Sequence, residues 1–574
     1  MFSFISSRRV RLAALAVAVP GALAAQSKDL PLKYVGPPTR TEITAGDLMT
    51  RLYKFADDSM MGRAVGTEYN NKGTAYIESE VRKLGLVPAG DNGTYFQNLP
   101  LFLRAVDTTS TITVEGGPTL KLGTDFLATA SGRPRQVSHM QVIYGGMLYD
   151  TTNVLTAEQA KGKIVVFTPF MPGSGFNQGA LLASAGFKGF QKFMSDVTYW
   201  IAAGESIPPN TLRGLLNPTN VSFINVDVNA AVQVTSKTAE VLFGAPLAGL
   251  AKGALGKTVS SDIRFVDTPK QVGRNVVAIL PGSDPKLKGE YVAIGAHNDH
   301  IGFNQRPADH DSVKAFMALV RPQGADNALT QATAEQVAQV KKTTDSLHVV
   351  HGGARPDSIY NGADDDGTGT VSVLEIAELL TKGKVKPKRS IIFVWHAGEE
   401  RGLWGSQYFT DHPTVPRDSI VAQLNIDMVG RGRSGDATGE DKAGGLIYGG
   451  PGYLQLVGSR RLSTELGDLI ETVNTEKKLG FKFDYRMDAD GHPQNIYCRS
   501  DHYEYARYGI PIVFMTTGGH ADYHQVTDEP QYIDYDHMAQ VGTLIYESAL
   551  KLAALDHRPL VDKPKPDPHG VCVQ

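Results

Sequence analysis

Histidine is almost missing from the first half of the chain: only His139 precedes position 297, and the other fourteen follow it. Imidazole chemistry therefore belongs to the second half. Cysteine is scarcer still. Only Cys498 and Cys572 are present, and their spacing makes no zinc-finger pattern, although one disulfide between them is possible in an oxidising compartment. No apolar run reaches the ~20 residues needed to cross a bilayer, which speaks against stable membrane insertion. Neither sign of charge dominates: a formal net charge of −3 offers no basic surface for nucleic acid and no acidic tail. The chain has no HExxH, which argues against single-zinc peptidases with a helix-borne site. It has no GxSxG either, so a serine hydrolase would lack its nucleophile elbow.

What is present begins with a targeting pattern. Arg8, Arg9 and Arg11 precede a short apolar core and the small-residue run Ala22-Leu23-Ala24, so residues 1–24 read as a signal peptide. The mature chain is expected to be exported, periplasmic or secreted. Apolar residues then recur at three- and four-residue steps (Ala45, Leu48, Leu52, Phe55; Ile77, Val81, Leu84, with Ala75 just before), predicting two helices. Two helices and a strand cannot close a domain, so 25–105 is expected to pack on later chain. Residues 106–266 change texture, with short alternating strands, a strand at 161–170 and a helix from Ala180. They hold no acid cluster and predict no catalytic constellation.

From 267 to 558 strands and helices alternate. Near-continuous apolar runs at 273–282 and 289–302 mark strands buried on both faces. Further strands are expected at 390–395, 422–428 and 510–515, with helices at 370–380, 459–473 and 537–554. This alternation predicts an α/β fold with a mostly parallel central sheet covered by helices on both faces. The polar stretch 304–359 is long for a connection and predicts a lid or rim element. Residues 559–574 read as a loosely held tail.

Chemistry concentrates around RSIIFVWHAGEERGLWGSQ, residues 389–407. An apolar strand ends there in two adjacent acids, Glu399 and Glu400, and ligand sites of open α/β sheets form at such carboxyl ends. Two neighbouring acids need opposite charge, which a metal would supply. Four other segments add acid or imidazole: His297 and Asp299 in AHNDH, Asp364 to Asp366 in NGADDDGTGT, Asp427 in NIDMVG and His524 in HADYHQVTDEP. Together they offer two imidazoles and at least three carboxylates, a set suited to two zinc ions.

In this order, AHxDH, NGADDxxxGT, the Glu-Glu pair, NxDM and the final DYH resemble the co-catalytic di-zinc aminopeptidase family. That group includes bacterial leucyl aminopeptidases and, more distantly, glutamate carboxypeptidase. The likeness runs from about Arg274 to Ala554, and 44–103 resembles the family's amino-terminal portion. Residues 106–266 resemble an inserted protease-associated domain, mainly through KGKIVVF and AGFKGF. The resemblance implies that His297 and Asp427 hold one zinc, Glu400 and His524 the other, and that Asp365 bridges them. It implies Glu399 as general base toward the shared water, Asp299 as the partner orienting His297, and Tyr523 as a donor to the oxyanion. Peptides would be the substrates, cleaved at the first residue. Carboxypeptidases, dipeptidases and glutaminyl cyclases share the fold and are the alternatives. Non-catalytic receptor-like relatives have damaged ligands, whereas every inferred ligand is present here. Departures from the family are Asn298 where tyrosine is common, Trp404 where leucine is common, and the longer insertion after Asn304. Other histidines near the motifs, His300 among them, are expected to pack or to support ligands.

Overall fold

The computed structural model describes residues 30–574 apart from 129–135, 153, 170–184, 198, 208, 224–229, 271 and 328–330. The expected signal peptide, and the first residues of the helix expected from Ala180, lie outside the described residues. The main sheet has nine strands: β1 (Val87–Pro88), β2 (Phe96–Asn98), β3 (Arg274–Leu280), β4 (Tyr291–His297), β5 (Ser390–His396), β6 (Ile420–Ile426), β7 (Tyr453–Val457), β8 (Lys482–Asp484) and β9 (Ile512–Thr516). Their order is β1-β3-β5-β4-β6-β9-β7-β8, with β2 also on β3. The four central strands β5, β4, β6 and β9 run parallel, whereas β3 and β7 pair antiparallel to them. The sheet is thus an α/β sheet with a parallel middle and mixed edges.

The apolar run of β5 shows why the middle strands need no polar face. Ile391, Phe393 and Trp395 enter one core, and Ile392 and Val394 the other, because successive side chains point to opposite faces. The first core is closed by helices α1 (Ala45–Phe55), α2 (Glu68–Lys83), α3 (Gly369–Lys382), α4 (Thr464–Glu476) and α5 (Tyr535–Ala554). Thr44 and Thr67 start the first two by accepting the N–H groups of Asp47 and Asn70, satisfying donors that a helix start leaves free. The segment 459–473, expected to be one helix, instead follows β7 as a turn and then α4. Its apolar register holds only from Leu466 onward, through Leu469, Ile470 and Val473.

Among the described residues of 111–262, eight strands form a separate sheet with its own core around Val142, Ile164, Val166, Ile201 and Val259, while Ser222–Phe223 pair with Leu101–Phe102. The chain leaves through Leu101–Val106 and returns through Phe265–Lys270, which pair antiparallel along their whole length. Trp404 meets this segment: its ring stacks on Phe223 at 5.9 Å. Asn298 is buried and joins α2 to the sheet, accepting from Asn70 Nδ2 at 2.8 Å and donating to the Trp395 carbonyl at 2.9 Å. The expectation of a loose tail needs correction. Cys572 is disulfide-bonded to Cys498, and the buried Gln574 accepts the Tyr497 N–H at 2.9 Å and donates to the Met487 carbonyl.

Candidate metal centre

The predicted residues lie where the parallel strands end. His297 closes β4, Asp427 follows β6, and Glu399 and Glu400 follow β5 after Gly398, whose φ of 79° turns the chain out of the sheet. Asp365 precedes α3, and His524 lies in the loop after β9. Every one of them therefore reaches the same end of the sheet, the usual place for a ligand site in such folds.

Two clusters form there and share one carboxylate. His297 Nε2 is 3.1 Å from Asp365 Oδ1 and 3.7 Å from Asp427 Oδ1. His524 Nε2 is 2.9 Å from Asp365 Oδ2 and 3.0 Å from Glu400 Oε2. The two oxygens of Asp365 thus face different imidazoles, as a bridging carboxylate must. Glu399 Oε2 stands 4.0 Å from His297 Nε2. It approaches the first cluster and reaches neither as closely as the groups above.

Whether metal ions fit is decided by the atoms left without partners. His297 Nε2, Asp365 Oδ2, Glu400 Oε1 and His524 Nε2 are buried and have no hydrogen-bond partner. Buried polar atoms are rarely left in that state, and four of them aimed at one space mark a missing charge. His297 also presents the right face. Its Nδ1 sits 3.1 Å from the Asp299 carbonyl oxygen, so Nδ1–H donates there and the Nε2 lone pair points at the acids. All these donors are carboxylate oxygen or imidazole nitrogen, the set that zinc accepts.

The electrostatics carry the same message. Burial raises the Asp365 carboxyl, but the imidazoles of His297 and His524 beside it outweigh that and hold the group well below its ordinary range. Burial lowers His524, yet Asp365 and Glu400 push it up to about 11. Glu399 is driven well above the ordinary glutamate value by burial and by the charges of Glu400 and Asp427. The acids hold protons on the imidazoles, and cations in the same space would replace those protons.

The surrounding shell is built from neighbouring acids. Asp366 accepts the N–H groups of His297 at 3.1 Å, Gly369 at 2.8 Å and Met428 at 3.2 Å, fastening β4, α3 and the end of β6 together. Asp364 accepts from Gly430 at 2.7 Å, so it braces the Asp427 loop more than it caps α3. Asp528, which the motifs do not single out, accepts the N–H groups of Asp364 and Asp365. Asp299 departs from its expected role. Its carboxylate is 3.8 Å from His297 Nδ1 and instead accepts the N–H groups of Gly398 at 2.7 Å and Glu399 at 3.2 Å. It therefore orients the glutamate turn by side chain and the imidazole by its backbone carbonyl.

His300 is closer to the chemistry than its sequence position suggests. Its Nδ1 is 2.7 Å from Glu400 Oε1 and 3.7 Å from Asp365 Oδ2, within the same cluster as His524. The only sequence signal was its place in AHNDH, one residue after Asp299. Tyr523 stacks on His524 at 4.1 Å and lines the cavity with Asp365, Glu399 and Asp427. Burial holds its phenol well above the ordinary value, so it stays a hydrogen-bond donor. Trp404, against Phe223, lies away from this cavity.

Residues 275–549 match the model of Peptidase family M28. Leucine aminopeptidase 1 of Penicillium rubens is 26% identical over 234 residues, which are 38% of this chain and 55% of that protein. The Neurospora crassa protein of the same name is 29% identical over 271 residues, 42% of this chain and 61% of its own length. The chain thus spans about half the length of these relatives. Among solved structures, the aminopeptidase from Aneurinibacillus sp. strain AM-1 is 15% identical with a TM-score of 0.43, covering 92% of this chain and 97% of that one. The matched stretch, residues 275–549, holds every acid and imidazole of the centre, so the likeness to Peptidase family M28 covers the whole site.

Proposed function

We propose that the protein is an exported aminopeptidase that uses two zinc ions to remove the first residue of peptides. The observation that carries this reading is the division of Asp365, one oxygen toward His297 and the other toward His524, with Glu399 on the same cavity. His297 and Asp427 would hold one ion, and Glu400 and His524 the other, with His300 beside the second. When bound, the ions supply Lewis acidity toward a peptide carbonyl and make water more acidic.

The chain's own groups do the rest. Glu399, raised in pKa and not needed to complete either cluster, takes a proton from water and returns it to the leaving amine. Tyr523 donates its phenolic proton toward the oxygen that gains charge. Met428, Met487, Ile496 and Phe514 line the cavity and suit an apolar side chain. The names of the relatives support cleavage at the amino end. The Cys498–Cys572 disulfide supports export, because such bonds persist in oxidising compartments. Residues 106–266 are read as an insertion into the peptidase, of the protease-associated kind. The test is hydrolysis of leucine 4-nitroanilide set against substrates with a blocked amino end. Cleavage of the free-amine substrate alone, lost on chelation and restored by zinc, is expected; cleavage indifferent to blocking would overturn the reading.

A further inference from the structure

Residues 303–327 sit directly on the loop that carries His524. Lys314 Nζ is 2.6 Å from Asp522 Oδ2, and the Ala325 N–H donates to the Tyr523 carbonyl at 3.1 Å. Gly324, at φ 58°, lies so close that a Cβ there would stand 2.5 Å from the same carbonyl oxygen. This seating delivers one charged side chain, Asp326, to the wall of the cavity that holds Glu399.

Asp326 meets Arg499 there in a two-pronged pair. Arg499 Nη2 is 2.8 Å from Asp326 Oδ1, and Nη1 is 3.3 Å from Oδ2. Arg499 is the sole cationic side chain among the described residues lining the cavity. The two side chains are 34% and 21% exposed, whereas Met487 and Phe514 on the same cavity are almost fully buried. Beside the acids of the metal centre the cavity therefore has a buried apolar patch, and Asp326 and Arg499 form an ion pair at its more open edge.

We propose that Asp326 sets the charge selectivity of this cavity by occupying the guanidinium of Arg499. With the pair intact, an acidic substrate side chain finds no free cation and meets the carboxylate of Asp326. A basic one meets a carboxylate already committed to Arg499. Neutral residues are selected because both charged kinds are opposed. The inference rests on the aminopeptidase reading for its substrate and concerns how that substrate is chosen.

The test is calorimetric binding of free L-leucine, L-glutamate and L-lysine to the zinc-loaded full chain. Wild type is compared with Asp326→Asn, Arg499→Met and the double variant, after thermal unfolding and zinc content confirm each fold. Asp326→Asn is expected to raise the glutamate-to-leucine affinity ratio at least about tenfold, the scale of a freed hydrogen bond to a charged group. Arg499→Met is expected to raise the lysine-to-leucine ratio similarly, and the double variant to return both ratios to those of wild type. An unchanged ratio in either folded single variant, or a gain that survives in the double variant, overturns the proposal. So does collapse of both single variants, which would make the pair a structural strut, or a failure of every form to bind any of the three. Hydrolysis of leucine 4-nitroanilide by wild type is measured in parallel. Its absence would sink the aminopeptidase reading alone, while the binding ratios still decide the role of Asp326.

Discussion

Glu399 and Glu400 are neighbours in the chain with opposite surroundings. Glu400 lies 2.7 Å from His300 and 3.0 Å from His524, inside a cluster, whereas the nearest imidazole nitrogen to Glu399 is 4.0 Å away. Glu399→Gln is expected to lower kcat at least ~10²–10⁴-fold with zinc content unchanged. Glu400→Gln should instead lose or weaken one zinc and regain part of its rate in excess metal. Metal content and rate for each variant check this, and a reversal of the two outcomes would exchange their roles. A second residue governs acid stability. His502 is buried and stacked on Phe514 at 4.8 Å, and burial lowers its pKa to about 3. A histidine depressed in the fold takes up its proton more readily when unfolded. Its contribution is therefore complete above the unfolded value near 6.5 and is lost as pH falls from there toward 3. His502→Phe should reduce the loss of urea midpoint between pH 7 and pH 4.5; an equal loss in both proteins would contradict the assignment. The acids and imidazoles of the two clusters were legible in the sequence because each sits in a short motif beside an apolar run. His300 and Asp528 lie inside those motifs, but only the fold shows that they face the clusters, and Asp326 lies in no motif and is brought there by tertiary contacts alone.

At the scale of elements, the strands that carry the site were readable from their unbroken apolar runs, as β4 and β5 show. The short edge strand β8 and the strand β7 were not, since their few residues have no periodicity apart from their neighbours. The segment 106–266 was visible as a change of texture. Its connection was not, because pairing between Leu101–Val106 and Phe265–Lys270 joins residues far apart in the chain. That ribbon gives the insertion reading a direct test. The Asp107 N–H donates to the Arg264 carbonyl at 3.0 Å, so a tight turn can replace 107–264. The shortened chain is expected to fold and bind zinc, with a lower Tm because Trp404 loses Phe223. Loss of zinc binding in a folded product would make the middle segment part of the metal site.

For the whole molecule, one sheet end gathers the clustered acids and imidazoles from five stretches of chain, with Asp326 on the cavity wall. Among the described residues no helix is long and apolar enough to cross a membrane. Asp365 is the residue through which both clusters stand or fall, since its Oδ1 faces His297 and its Oδ2 faces His524. The most direct measurement is therefore zinc per chain at saturation, by elemental analysis of wild type and Asp365→Asn. Wild type should hold two ions and Asp365→Asn fewer than one at the same free zinc. A wild-type value of one, or two ions retained without the Asp365 carboxylate, would contradict the shared two-metal centre.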